Sequence, residues 1–272
     1  MSRLRYFVMV MLLSLLALRP SLAAGDFITL SSTTSTQNSG FFDYLLPKFT
    51  EKTGIEVRVI ALGTGQAMKL AQNGDADVML VHDKVAEVKF VKQGYGLDRR
   101  EVMYNDFVIV GPREDPAKIR DLKDAVQALQ AIATAGANFV SRGDDSGTHR
   151  QELRMWDEGR VDIRSASGKW YKEIGAGMGA TLNTAAGLDA YTMSDRATWT
   201  TFRNRGTLEL LVEGDPRLFN QYAVILVNPA RHPHVKHEAA KRFADWLVSA
   251  EGQQLIGGFV VDDQVLFHPN AR

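Results

Sequence analysis

Y-N-D-F-V-I-V-G-P, residues 104–112, is an apolar strand followed by a glycine-proline turn, and Y-A-V-I-L-V-N-P, residues 222–229, repeats this pattern later in the chain. The segment between them has strands and helices of its own, and helical patterns after the second stretch can return to the first unit. Two strands that leave and re-enter one unit predict an inserted domain, hence two lobes joined by a hinge. One continuous sheet is the alternative. The expected boundaries are residues 25–109 and 224–272 for domain I and 110–223 for the inserted domain II.

The first unit alternates strands, polar loops and helices. The apolar run 27–30 leads into hydroxyl residues, and residues 40–50 then carry apolar side chains at helical spacing. Further strands are predicted at 55–62 and 77–81, each after a glycine that ends the preceding helix. This order predicts an α/β fold with a parallel sheet and right-handed crossovers.

Residues 1–24 have the pattern of a secretory signal peptide. Arg3 and Arg5 precede an apolar run at 7–18, and small residues at 21–23 offer a cleavage site. The run is too short to span a bilayer comfortably, which disfavours a membrane anchor. We therefore expect export to the periplasm.

Composition and charge exclude several classes of function. The chain has 32 basic and 32 acidic residues, and removal of the first 24 residues takes away three arginines and no acid, which leaves a net charge of about −3. No basic tract for nucleic acid is present. The absence of cysteine excludes disulfides and lipid attachment through a cysteine. We expect a dissolved monomer that needs no cofactor.

Four loops combine a strand end, a run of glycine, serine or threonine, and a helix start. A helix start presents unpaired N–H groups and partial positive charge, which attract anions without a cationic side chain. Glycine permits close backbone approach, and hydroxyls add donors. Each loop alone is more readily an ordinary helix cap or loop, but four at the carboxyl ends of strands predict one shared ligand site. The loops are residues 31–36, 63–66, 146–148 and 177–181.

The stretch S-R-G-D-D-S-G-T-H, residues 141–149, contains the strongest cationic candidate. The planar guanidinium of Arg142 matches the geometry of an oxyanion, and the two aspartates after it are expected to orient it or to cap the helix. One rival interpretation is a hydrolase with Ser146 as nucleophile and His149 as base, although no G-x-S-x-G elbow surrounds the serine. Another is that Arg-Gly-Asp at 142–144 is an adhesion tripeptide.

The histidines of H-P-H-V-K-H, residues 232–237, suggest a metal site. Pro233 interrupts helical spacing and no cysteine contributes. We expect a solvated loop here and no metal cation site.

The candidate residues form a set of hydrogen-bond donors. A fully ionised oxyanion offers only acceptors, so it can pair with every donor of such a set. A protonated phosphate also needs an acceptor carboxylate, which the aspartates at 144 and 145 offer, so the residues alone leave the oxyanion open. The candidates for direct contact are Thr33, Thr34, Ser35 and Arg142, and the supporting candidates are Ser32, Thr64, Ser146, Gly147, Thr148, Ala180 and Thr181.

The order of motifs along the expected mature chain resembles that of the tungstate-binding proteins of Tup-type ABC importers. The resemblance implies a class II periplasmic-binding-protein fold, with two Rossmann-like domains joined by a two-strand hinge. It also implies a non-enzymatic receptor that delivers tungstate, and less selectively molybdate, to a membrane permease and its ATPase. The family's threonine-serine stretch corresponds to residues 32–35 and its arginine to Arg142; Ser32 replaces the usual first threonine and so lacks its methyl group. The matching motifs are I-T-L-S-S-T-T-S-T-Q-N-S-G, G-T-G-Q-A, G-D-A-D-V-M-L-V-H-D, Y-N-D-F-V-I-V-G-P, S-R-G-D-D-S-G-T-H, G-M-G-A-T-L, V-E-G-D-P-R-L-F-N and A-D-W-L-V-S-A-E-G-Q.

Overall fold

The computed structural model describes residues 26–272, so the predicted signal peptide lies outside the described residues. Within this range no helix has both the length and the apolar character needed to cross a membrane. The helices are α1 Thr34–Asn38, α2 Phe41–Thr53, α3 Thr64–Asn73, α4 Lys84–Lys92, α5 Ala125–Ala135, α6 Gly147–Glu158, α7 Ile163–Ala166, α8 Met178–Gly187, α9 Arg196–Thr201, α10 His237–Val248 and α11 Ala250–Gly257. The strands are β1 Phe27–Thr33, β2 Glu56–Leu62, β3 Val78–Val81, β4 Gly96–Pro112, β5 Phe139–Ser141, β6 Tyr171–Glu173, β7 Thr192–Asp195, β8 Leu208–Val212, β9 Phe219–Val227, β10 Val260–Val261, β11 Gln264–Val265 and β12 His268–Pro269.

Lobe I is the part of the molecule around β1, β2, β3 and β9, and lobe II is the part around β5, β6, β7 and β8. Lobe I is built on a sheet whose first three strands are parallel, as predicted. β1 pairs in parallel with β2 and β3, and β9 then pairs antiparallel with β3 and with β4. Helix α2 begins and ends at glycines with left-handed backbones, Gly40 (φ 80°) and Gly54 (φ 74°), a conformation that suits glycine best. Its buried face supplies Phe49, which packs against Phe243 and Trp246 of α10 at ring distances of 5.1 and 5.2 Å.

The long strand β4 belongs to both lobes. Residues 96–106 pair with β9, whereas residues 107–112 pair with β7 and β8. The change of partner occurs opposite Phe219, where β9 begins, so the two connections between the lobes lie side by side. The buried apolar residues accordingly form separate clusters on the two sides of this crossing, which confirms a two-lobed α/β architecture.

Lobe II contains a short parallel pair, β5 and β6, packed under α6. Trp156 of α6 packs edge-on against Phe139 of β5, with ring centroids 5.2 Å apart, and both rings are fully buried. Burial of large apolar side chains contributes about 1.5–3 kcal/mol each. This packing fixes the end of β5 relative to the start of α6, and residues 142–146 connect the two.

Candidate anion-binding cleft

In lobe I the first two predicted loops lie at one edge of the sheet. Thr33, the last residue of β1, is paired with Leu62, the last residue of β2, and parallel strands end at the same edge. The Thr33 Oγ1 atom lies 2.8 Å from Thr36 Oγ1 and 3.2 Å from Ser35 Oγ. These three hydroxyls are buried. The first loop is therefore a compact cluster of hydroxyl groups beside the start of α3.

In lobe II the other two loops also lie together. β5 and β6 are parallel, so the segment after Ser141 adjoins the segment after Glu173. The Ala176 N–H donates to the Arg142 carbonyl at 3.1 Å, just before Gly177 caps α8. In α8, the Thr181 hydroxyl donates to the Gly177 carbonyl at 3.1 Å, whereas the side chain of Ala180 is a methyl group, so only its backbone N–H is a candidate donor.

The two edges meet across the cleft at Thr64 and Gly147. The Gly147 N–H, at the start of α6, donates to Thr64 Oγ1 at 2.8 Å. Because the threonine oxygen accepts this bond, its own hydrogen remains available for a further acceptor. Gly63 lies beside Asp144 at the same place, where an added Cβ would be 3.4 Å from the Asp144 carbonyl oxygen. The carboxyl ends of both parallel sheets thus face one another.

Arg142 is held at this junction with only 2% of its side chain exposed. Its Nε and Nη2 atoms donate to Asp144 Oδ2 at 3.1 and 2.6 Å. The other oxygen of Asp144 accepts the Ser146 N–H at 3.2 Å. The aspartate therefore orients the guanidinium and caps the turn, as expected from the sequence. The same pairing uses both charged side chains of the Arg-Gly-Asp tripeptide within the loop, and Arg142 is buried, which argues against an adhesion motif.

The hydroxyl groups differ in how much donor capacity they keep. Ser32 Oγ donates to the Leu80 carbonyl at 2.6 Å and has therefore used its hydrogen, whereas Ser146 Oγ accepts the His149 N–H at 3.2 Å and, like Thr64, keeps its own hydrogen. In contrast, the buried Thr148 Oγ1 atom has no hydrogen-bond partner among residues 26–272. Thr34 is half-buried. A buried hydroxyl without a partner is uncommon and is consistent with a ligand that supplies the acceptor.

The predicted Ser146 and His149 pair does not form a catalytic dyad. His149 Nδ1 accepts the Asp145 N–H at 3.1 Å, and Nε2 has no partner within the described residues. Neither ring nitrogen is bonded to Ser146, whose oxygen caps α6. Burial lowers the pKa of His149, so the ring is neutral near pH 7. This geometry supports a structural role for both residues.

Residues 142–146, which connect β5 to α6, are called the anion loop below. Under this loop lies a buried carboxyl group, Glu152 of α6. It accepts hydrogen bonds from Ser141 Oγ at 2.8 Å, Tyr171 Oη at 2.7 Å and Trp156 Nε1 at 3.0 Å. Burial raises the pKa of Glu152 to about 7, although the hydrogen bonds from these three donors act to lower it. The group ties β5, β6 and α6 together directly behind Arg142.

Three cleft residues were missed from the sequence, His82, Asp83 and Asn220. His82 Nδ1 lies 2.9 Å from Asn220 Oδ1, its ring stacks on Tyr222, and burial lowers its pKa. A cavity of about 150 Å³ between the lobes is lined in part by His82, Asn220 and Gly147. His82 and Asp83 directly follow β3, so the rule that selected the other loops, residues just past a parallel strand, would have found them.

The histidine stretch at 232–237 is used for backbone contacts. His232 Nε2 lies 3.0 Å from the Gln72 carbonyl oxygen and His234 Nε2 lies 2.9 Å from that of Gly74, at the end of α3. Among the residues that the structure describes, no group of three metal-ligating side chains occurs. These histidines hold the far end of the helix that begins at Thr64.

Comparison with known proteins defines the class. A family model described as a PBP superfamily domain matches residues 20–251, so the chain belongs to the PBP superfamily. Within it, the chain is 48% identical over 248 residues to the tungstate-binding protein TupA of Peptoclostridium acidaminophilum, covering 90% of this chain and 86% of that protein. The resemblance to Tup-type tungstate-binding proteins is therefore confirmed.

Solved structures give the same result. The tungstate-binding protein TupA from Desulfovibrio alaskensis G20 superimposes with a TM-score of 0.79 at 44% identity, covering 91% of this chain and all of that chain. The tungstate ABC transporter structure from Geobacter sulfurreducens gives a TM-score of 0.77 at 47% identity, covering 86% of this chain and 98% of that one. The periplasmic-binding-protein fold and the non-enzymatic character expected from the sequence are both confirmed by these relatives.

Proposed function

We propose that this protein is the substrate-binding component of a tungstate ABC importer and that it closes its two lobes over one tungstate ion. Relatives at 44% and 48% identity over most of the chain are named tungstate-binding proteins, which supports tungstate as the ligand. The anion is held by neutral donors and one guanidinium. This arrangement accommodates a dianion in a protein whose overall charge is close to neutral.

The observation that carries the proposal is that both aspartates of the anion loop have their carboxylate oxygens occupied. Asp144 accepts from Arg142 and from the Ser146 N–H. Asp145 accepts from Arg150 through both of its oxygens, at 2.7 Å each. A protonated anion such as hydrogen phosphate needs a free acceptor, whereas a fully ionised tetrahedral oxyanion needs only donors. Because each aspartate oxygen is already engaged by a donor of the protein itself, the loop presents mainly donors to the cleft, which supports a fully ionised oxyanion as the ligand.

The contacts are assigned as follows. Arg142 supplies a positive charge and the guanidinium N–H groups that Asp144 does not use. The unpartnered hydroxyl of Thr148 and the free hydroxyl hydrogen of Thr64 supply neutral donors from opposite lobes. The hydroxyl cluster around Thr33 and the N–H groups at the start of α8 complete the shell. The full set comprises Thr33, Thr34, Ser35, Thr64, Arg142, Ser146, Thr148 and Ala180, with Ser32, Gly147 and Thr181, whose donors are bonded within the protein, holding the loops in place.

Competition calorimetry tests this function. Tungstate is titrated into the purified protein alone and in the presence of excess molybdate, sulfate or phosphate. The proposal requires tight 1:1 tungstate binding that excess sulfate or phosphate does not prevent. Tungstate and molybdate share shape and charge, so preference between them is taken from the relatives, and tighter binding of phosphate than of tungstate would contradict the proposal.

The cellular setting belongs to the same proposal. The signal-peptide pattern of residues 1–24 supports a periplasmic location, where we expect a monomer that docks on a membrane permease. Cell fractionation tests the location, and co-purification with a permease from detergent extracts in the presence of tungstate tests the partner. Recovery of the protein only from the cytoplasm would contradict this part of the proposal.

A further inference from the structure

One guanidinium joins the two lobes at the edge of the cleft. Arg150 of α6 donates from Nε and Nη2 to the two oxygens of Asp145, and its Nη1 atom lies 3.3 Å from Asp83 Oδ2. Asp145 and Arg150 belong to lobe II, whereas Asp83 caps the start of α4 in lobe I. All three nitrogens of the guanidinium are therefore used, two within the anion loop and one across the cleft.

Asp145 needs to be held in place by its surroundings. Its backbone has a left-handed φ of 56°, which costs energy for a residue with a side chain. It lies in the turn between Arg142, which carries the charge of the proposed site, and Gly147, whose N–H meets Thr64. Whatever fixes the Asp145 side chain therefore also fixes the turn that presents the donors.

The charge of Asp83 is compensated from the opposite lobe. Only 2% of its side chain is exposed, and its two oxygens lie 3.3 Å from Arg150 Nη1 and 3.4 Å from Arg154 Nη1. The neighbouring Glu87 is itself acidic, and it occupies the nearby Arg99, so neither residue of this pair compensates Asp83. When the lobes separate, Asp83 loses both arginines, so this ion pair exists only in the closed form.

Gly65 leaves space in lobe I for the side chains of Asp145 and Arg150. A Cβ added at Gly65 would lie 2.2 Å from Asp145 Oδ2 and 2.8 Å from Arg150 Nη2. Gly65 occupies the second position of α3 without a left-handed backbone, so glycine is needed here for space rather than for conformation. The contact is with the flexible ends of two side chains, and an alanine would displace those ends without moving the backbone.

We propose that Asp83 and Arg150 are positioning residues for the bound oxyanion: they lock the anion loop against lobe I, and Gly65 provides the space for this lock. The proposal rests on the proposed function, because the loop that it positions is the one that would hold tungstate. None of the three residues touches the anion. They act through Asp145 and through the population of the closed form.

The test compares Asp83→Asn and Gly65→Ala with matched controls by stopped-flow measurement of tungstate release. Asparagine at position 83 keeps the oxygen that caps α4 but removes the charge. The charge control is Asp245→Asn, which removes a charge that is paired within lobe I. Gly187→Ala is the steric control, because an added Cβ there meets nothing within 4 Å. We expect release about tenfold faster in both test variants, as for loss of a partly buried ion pair, and unchanged release in both controls.

The sign of the charge effect separates this lock from general electrostatics. If Asp83 acts on the dianion only through long-range repulsion, removal of its negative charge strengthens tungstate binding. If Asp83 acts through the lock, the same substitution weakens tungstate binding. Alanine at Gly65 also raises helix propensity, so the thermal stability of the ligand-free variant should not fall although release becomes faster. Release rates within twofold of wild type in both test variants, or tighter binding by Asp83→Asn, would overturn the proposal.

Failure of the proposed function is distinguishable from failure of the lock. If the wild-type protein binds no tungstate, the function is wrong, and the variants are then compared without ligand by small-angle scattering. A larger radius of gyration for Asp83→Asn and Gly65→Ala than for wild type supports the lock. Equal radii would refute it.

Discussion

Replacement of Arg142 by alanine perturbs the proposed site most directly. The guanidinium is 98% buried and donates two hydrogen bonds to Asp144, so its removal leaves a carboxylate facing the anion without compensation. Breaking a buried ion pair by removing one partner costs about 3–5 kcal/mol. We expect tungstate affinity to fall by roughly 10²- to 10⁴-fold. Titration calorimetry measures this directly, with Arg113→Ala, an exposed arginine of lobe II, as the control.

The double variant Arg142→Ala/Asp144→Ala separates loss of attraction from gain of repulsion. Removing the unpaired carboxylate should recover at least about tenfold of the lost affinity, since the two side chains are directly bonded and their effects are not additive. An affinity for Arg142→Ala within threefold of wild type would show that the guanidinium is not in the site. Recovery of no affinity in the double variant would show that Asp144 does not face the anion.

Three further substitutions separate binding from folding. Ser32→Ala should cost about 1 kcal/mol of stability in urea unfolding, because its hydroxyl bonds the Leu80 carbonyl, and should change tungstate affinity less than threefold. Thr148→Val should do the reverse, with affinity about tenfold lower in calorimetry and unfolding unchanged, since its buried hydroxyl has no partner within residues 26–272. Glu152 has a pKa raised from 4.5 to about 7, so the folded state keeps a proton that the unfolded state has lost. Glu152 therefore makes the free energy of unfolding fall as pH rises from about 4.5 to about 7, by about 1.4 kcal/mol per pH unit. Glu152→Gln should remove this slope. An equal slope in the wild-type protein and the variant would contradict the assignment.

The fold was predictable because its signals are local. The strands at 27–30, 55–62 and 77–81 were found from apolar runs bounded by glycine, and the structure confirms a parallel β1, β2 and β3. The stretch at 104–110 was recognised as a connecting strand, but its true extent, Gly96–Pro112, was not. The first part, G-L-D-R-R-E, is mostly polar and only partly buried, so its pairing with β9 leaves no apolar pattern in the sequence.

The site was predictable only as a set of loops. Glycine, hydroxyl residues and one arginine after strand ends predicted Thr64, Arg142 and Gly147, and the structure places Thr64 and Gly147 in contact across the cleft. The division of hydroxyls into bonded and unbonded ones could not be predicted, because Ser32 and Thr148 differ only in tertiary partners. The interlobe ion pair of Asp83 and Arg150 joins residues 67 apart in sequence, and no local pattern encodes such a contact.

The position of the tungsten atom of bound tungstate tests most directly whether the donor-lined cleft holds one oxyanion. Crystals grown with tungstate give an anomalous difference map in which tungsten dominates the signal. The structure predicts a single peak between the lobes. The oxygens bound to that tungsten atom should lie within hydrogen-bonding distance of Arg142, Thr148 and the hydroxyls near Thr33. A peak confined to the outer surface of either lobe, or no peak at saturating tungstate, would contradict the account.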